Sequence, residues 1–207
     1  MKLGAALLVA AALGCASAPV RARRPAAGST ATPAAVSGGS SALDDLMRSD
    51  LADDHAMAWA AGRRLTWHDF QGDPPTDGSE GAKTAYTLYS AWKCRGSAFE
   101  FRVIAGFRPR QSWVKAVVLN DTTQRRSVLG HEQTHFDIAE VHARIMRRAF
   151  RDLARPCSTT DAQLSALAQR LAQDEKAEQR RYDAETNHGL RASQQGAWSA
   201  AVARRLR

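Results

Sequence analysis

Val128-Leu129-Gly130-His131-Glu132-Gln133-Thr134-His135-Phe136 is the stretch around which the rest of the chain is arranged. It carries the spacing H-E-x-x-H, which converges only on a helix, where residues four apart lie one above the other on the same face. The rings of His131 and His135 then meet at one point, and Glu132, one step round, reaches the same region. Paired imidazoles suit zinc; the ion acidifies a bound water, and a neighbouring carboxylate takes the proton. His131 and His135 are therefore candidate ligands of Zn2+, and Glu132 the candidate general base. The alternative is a surface helix with two solvated histidines. Against it, apolar Val128, Leu129, Ile138, Val141 and Ile145 flank the motif.

Working outward, the helix is predicted over 124–153. N-cap candidates stand in Asn120-Asp121-Thr122-Thr123, and Pro156 and Cys157 end it. Ser158-Thr159-Thr160-Asp161 caps a second helix, with Leu164, Leu167 and Leu171 at helical spacing, to about Thr186. Gly189 breaks it, and 193–206 suggests a last helix bearing Trp198 and Val202. Upstream the texture is that of strands. Residues 65–70 read as a short strand entering a turn at 71–75. Segments 84–92 and 99–104 form a hairpin across Gly96-Ser97, and 112–119 reads as a further strand. Earlier still, 43–61 has helical apolar spacing on an acidic background, with Gly62 to end it. Antiparallel strands followed by a long motif-bearing helix and a second, antiparallel helix give an α+β class, one domain over 43–207.

Two histidines need a third protein ligand. His142 returns to the same helical face, but seven residues past His135 is roughly 10.5 Å along the axis, too far for one ion. No glycine intervenes to turn the chain back. The segment Tyr182-Asp183-Ala184-Glu185-Thr186-Asn187-His188-Gly189 is the better source. His135 lies roughly 32 Å of helix before Pro156, and an antiparallel second helix covers that length by Tyr182. Within the segment His188 is the first choice, with Asp183 and Glu185 as alternatives; His55 and His68 are weaker. Tyr182 is a candidate donor to the oxyanion of a tetrahedral intermediate.

The amino terminus reads as an export signal. Met1-Lys2 precedes an apolar run over 3–13, too short to span a bilayer. Ala12-Leu13-Gly14-Cys15 fits lipoprotein processing with Cys15 lipidated, and Ala16-Ser17-Ala18 fits ordinary cleavage after 18. Residues 19–42, rich in Ala, Ser, Gly, Pro and Arg, read as a flexible linker. The chain has three cysteines. With Cys15 lipidated or removed, Cys94 and Cys157 remain, and an oxidising compartment predicts that they pair. The net charge of +8 comes mostly from arginine. Its short pairs, Arg147-Arg148, Arg180-Arg181 and Arg204-Arg205, lack the density and interleaved aromatics of a nucleic-acid surface, so no nucleic-acid partner is expected.

Three pieces together resemble a known family: the run 131–140 (His-Glu-Gln-Thr-His-Phe-Asp-Ile-Ala-Glu); Leu65-Thr66-Trp67 with Asp69-Phe70 and Gly72; and Tyr182-Asp183 with Thr186 and His188-Gly189, then Gln195 and Trp198. The combination is similar to a bacterial domain-of-unknown-function family described as predicted secreted zinc-dependent proteases, over residues 58–203 or so. The resemblance implies a zincin-like metallopeptidase fold with His131 and His135 as ligands, Glu132 as base and 182–189 as third-ligand segment. The expectation is a secreted or lipid-anchored zinc metallopeptidase of the cell envelope. It would be a monomer acting on protein or peptide, periplasmic or held at the outer membrane through lipidated Cys15. A peptidoglycan amide hydrolase and a non-catalytic metal-binding lipoprotein are the alternatives.

Overall fold

The computed structural model describes residues 41–207 in full and 21–23 as backbone. The expected export signal, Cys15 and most of linker 19–42 lie outside the described residues. In chain order the elements are β1 (Arg21–Arg23), α1 (Ala42–Asp53), β2 (Met57–Ala58), β3 (Ala82–Lys83), β4 (Tyr86–Arg95), β5 (Ala98–Phe107), β6 (Trp113–Val114), α2 (Ala116–Asn120), α3 (Thr122–Arg151), α4 (Asp161–Thr186) and α5 (Ala192–Arg205), with short 3-10 turns at Trp67–Asp69, Pro109–Gln111 and Pro156–Ser158.

The main sheet grows from the β4–β5 hairpin, paired from Tyr86↔Phe107 to Arg95↔Ala98. Its two-residue turn needs a positive φ, which Gly96 supplies at 59°. β2 joins the far side of β5, and β1 lies parallel to β4, so the order is β1-β4-β5-β2. β1 falls inside the segment read as linker: backbone hydrogen bonds to a sheet edge make no demand on side-chain composition.

β4 is buried from Tyr86 to Trp92. Alternation explains why. Tyr86, Leu88 and Trp92 face α3 and α4 in a core with Val103, Phe107, Phe136, Met146 and Phe150. Tyr89 and Ala91 face Leu43 and Met47 of α1 on the other side. The sheet is thus a middle layer, and the molecule is mixed α+β with antiparallel strands and a long helix.

α3 starts at the N-cap Asp121, whose carboxylate accepts from the backbone of Thr123 and Gln124, both at 2.9 Å. Every residue from His131 to Ala143 is buried. The sheet covers one side of this stretch and α4 and α5 the others. α4 begins with a capping box between Thr160 and Gln163. It runs antiparallel to α3: Tyr182 reaches the His131 carbonyl, Gln179 meets His135, and Glu178 meets His142 further along. The expected disulfide is present. Cys94–Cys157 joins the end of β4 to the turn between the helices, with Cα atoms 5.7 Å apart across a separation of 63 residues. Closing such a loop stabilises by roughly 2–4 kcal/mol.

Three expectations change. Residues 65–70 are no strand: the Asp69 carboxylate accepts from the backbone and hydroxyl of Thr66 and winds Trp67–Asp69 into a 3-10 turn. The expected strand 112–119 keeps only Trp113–Val114. β3 offers β6 two residues, and beyond them the backbone satisfies itself by coiling into α2 despite its valines. The first helix ends at Asp53, well before Gly62. His55 adopts a left-handed φ of 50°, and the chain turns into β2. No helix among the described residues is long and apolar enough to cross a membrane.

Candidate metal centre

One turn of α3 stacks His131 and His135, ring centroids 4.6 Å apart, with their Nε2 atoms 3.0 Å from each other. Asp183 of α4 completes the group. Its Oδ1 lies 3.2 Å from Nε2 of His131 and 3.0 Å from Nε2 of His135. All three side chains are buried, and among the described residues this is the group of histidine, cysteine and acidic side chains close enough to hold an ion.

The second nitrogen of each ring is held by a glutamine. His135 Nδ1 is 2.6 Å from Gln179 Oε1. The Gln179 amide nitrogen donates to the His135 carbonyl (2.9 Å) and to Glu175 (2.7 Å), which fixes Oε1 as the acceptor and puts the proton on Nδ1. His131 Nδ1 is 3.0 Å from Gln195 Oε1 of α5, which also accepts from Tyr182 at 2.7 Å. Both Nε2 lone pairs therefore face one point, alongside a carboxylate oxygen. Burial opposes a charged ring at His135, but Asp183, Glu132 and Gln179 together outweigh it and raise its pKa; the cluster attracts positive charge.

These residues fit zinc. Four ligands at about 2.0–2.1 Å in a tetrahedron stand roughly 3.3 Å from each other, close to the separations seen, and three protein ligands leave one position open. The donor set, two imidazoles and a carboxylate, is one that zinc accepts.

The cluster lies on a cavity of about 540 Å³ lined by Gly78 to Thr84, α2, α3 and the end of α4. Glu132 also lines it, is buried, and has no hydrogen-bond partner for Oε2 among the described residues. Thr84 Oγ1 donates to the Glu132 carbonyl at 3.1 Å and ties β3's neighbourhood to α3. Glu80 adds a carboxyl to the same wall; burial raises its pKa, Lys83 and His188 work against that, and Glu132 and Asp183 add to it.

The third-ligand segment is where the helix lengths put it, but the residue in the cluster is Asp183, not His188. α4 ends at Thr186, and Asn187, His188 and Gly189 all take positive φ (50°, 54° and 81°). That turn carries His188 off the helical face to a half-exposed place on the cavity wall, its Nδ1 3.8 Å from Asp183 Oδ1. Gly189 suits its φ of 81°, and a Cβ there would also crowd the His131 side chain at 3.1–3.2 Å. Glu185 is exposed and accepts from Trp198 at 2.7 Å. His55 and His68 are exposed and outside the cluster. His142 is bonded to Glu178.

Tyr182 does not line the cavity. It stacks on His131 at 4.7 Å, and its hydroxyl is engaged by Gln195 and the His131 carbonyl. Its geometry is that of a support for His131, not of a donor to substrate. Gln179 and Glu80 escaped sequence reasoning. A signal for the first existed: the buried stripe of α4 changes from Leu164, Ala168 and Ala172 to Glu175, Gln179 and Asp183.

A family model described as "Bacterial protein of unknown function (DUF922)" matches residues 75–189, just over half of the chain, and takes in His131, Glu132, His135 and Asp183. No curated protein and no solved structure matches.

Proposed function

The chain belongs to this bacterial family of unknown function, and from its own site we propose that it is a zinc-dependent, zincin-like peptidase working outside the cytoplasm. The observation that carries the reading is the buried convergence of His131, His135 and Asp183 at separations of 3.0–3.2 Å. Zinc bound there would polarise a carbonyl and lower the pKa of water. The chain does the rest. Glu132, which lines the cavity and whose Oε2 has no hydrogen-bond partner among the described residues, takes a proton from the water that attacks the amide carbon and delivers it to the departing amine. His188 stands on the same wall, where its ring can donate to the carbonyl oxygen.

Two further features support a peptide substrate in an exported protein. Among the described residues β3 pairs only with β6, and Ala82 and Lys83 also line the cavity, where an extended chain could lie along β3. The Cys94–Cys157 bridge suits an oxidising compartment.

Replacing Glu132 by Gln tests the reading. The variant should keep its fold and metal, while hydrolysis of unfolded protein falls by about 10²–10⁴. Undiminished hydrolysis would remove Glu132 as the base and the reading with it.

A further inference from the structure

Among the described residues the exposed large hydrophobic side chains are Val117, 62% exposed, and Leu190, 80% exposed. They come from elements far apart in sequence, α2 and the turn after α4, yet both line the cavity that holds the metal cluster. A single exposed aliphatic needs no explanation; two on the lining of one cavity point to a common use.

Each is held in place. Leu190 follows the three left-handed residues Asn187, His188 and Gly189, a course that is strained for the two that are not glycine. Its backbone N–H donates to the Asn187 carbonyl at 3.1 Å, and that of Arg191 to the Thr186 carbonyl at 2.8 Å, so the turn is pinned with Leu190 outward. Val117 rides on a one-turn helix anchored by Val118, which is 2% exposed. Lys115, just before it, donates to the carbonyls of Asp77 and Gly78 at 3.3 and 2.7 Å and fixes the facing loop. Val118 and Val128 continue the apolar lining.

The charges on the wall point the same way. Glu80, Glu132 and Asp183 set three carboxylates against Lys83, Lys115 and the half-exposed His188. Asp183 is engaged by the histidines and Lys115 by the loop. An acidic side chain entering here meets Lys83 and His188 as well as Glu80 and Glu132, so charge gives it no net advantage, whereas an aliphatic one finds Val117, Val118, Val128 and Leu190 along the same lining.

We infer that the cleft selects peptide segments carrying a large apolar side chain, received between Val117 and Leu190. This rests on reading the cavity as a substrate cleft, and its test does not depend on hydrolysis. The zinc-loaded Glu132→Gln protein is titrated calorimetrically with three blocked heptapeptides of Gly and Ser that differ only in a central Leu, Ala or Glu. The Leu peptide should bind about tenfold or more tightly than the Ala peptide, since pocket methylenes discriminate about 10- to 200-fold. The Glu peptide should also bind more weakly than the Leu peptide. Adding Val117→Ser and Leu190→Ser should shrink the Leu advantage to about twofold or less at unchanged metal content. Equal affinities, no binding at millimolar peptide, or a Leu advantage that survives both substitutions would each overturn the inference. Leu-selective binding by a wild-type protein that cleaves none of the three would instead count against the peptidase and leave the apolar clamp standing.

Discussion

At the scale of single residues, the centre depends on two amides as much as on its three ion-facing side chains. The Oε1 atoms of Gln179 and Gln195 accept hydrogen bonds from Nδ1 of His135 and His131 and so turn both Nε2 atoms toward Asp183. An amide does this without adding charge. The wall already carries Asp183, Glu132 and Glu80, and a further carboxylate on each ring would deepen that negative field. Gln179→Met keeps the bulk and removes the acceptor. We expect it to bind zinc about 10- to 100-fold more weakly with the fold retained, as measured by competition with a chromophoric chelator; unchanged affinity would show that Gln179 is only packing. His131, Glu132 and His135 were legible in the sequence because their relation is closed within one helical turn. Asp183 was legible only as one of several residues in a segment. Choosing it over His188 depends on how α4 is rotated about its axis and on a left-handed turn after Thr186. Gly189 did signal something particular, but its reasons are a positive φ and the His131 side chain against it.

At the scale of elements, those whose signals are local were readable: the β4–β5 hairpin, the cap of α4, and the lengths of α3 and α4. Those decided by partners were not. Residues 112–119 have strand composition, but a strand needs an edge, and β3 offers two residues. Residues 65–70 are shaped by Asp69 and by docking to α3, where the Leu65 N–H donates to Gln133 at 2.7 Å and the Trp67 indole to the Arg125 carbonyl at 3.0 Å. The packing of α3, α4 and α5 includes a polar junction outside the metal cluster. Glu178 of α4 accepts from His142 of α3 at 2.7 Å and from Arg205 of α5 through both guanidinium nitrogens. Burial would raise its pKa, but these two partners outweigh burial and bring it down to about 2. A carboxyl depressed in the folded state contributes stability that is full above its unfolded pKa and is lost as pH falls through the folded one. Glu178→Gln should therefore cost about 1–2 kcal/mol at pH 7, after allowing for solvent screening of a partly exposed group. The difference from wild type should shrink as pH falls below the ordinary carboxyl value of 4.5 and be gone only below about 2. Urea midpoints of the two proteins across that range check it; a gap that persists at the acid end would assign the loss to packing.

At the scale of the whole molecule, the fold brings distant parts of the chain to one ion-sized point. The sheet supports α3 from one side, α4 supplies Asp183, α5 supplies Gln195, and the Cys94–Cys157 bridge ties the sheet to the α3–α4 turn. The class, the antiparallel helix pair and the disulfide could be anticipated, because helix lengths and an even pair of cysteines are properties of the chain alone. The layering could not. The apolar run of β4 shows that both its faces are covered, but not that α1 takes one and α3 with α4 the other. We propose that this assembly holds one metal ion through His131, His135 and Asp183. Elemental analysis of purified protein after zinc supply and exhaustive dialysis tests it most directly. About one zinc per chain is expected, lost on Asp183→Ala and kept on His188→Ala, with both variants folded. A folded wild-type protein without metal, or zinc that survives Asp183→Ala and disappears with His188→Ala, would contradict it.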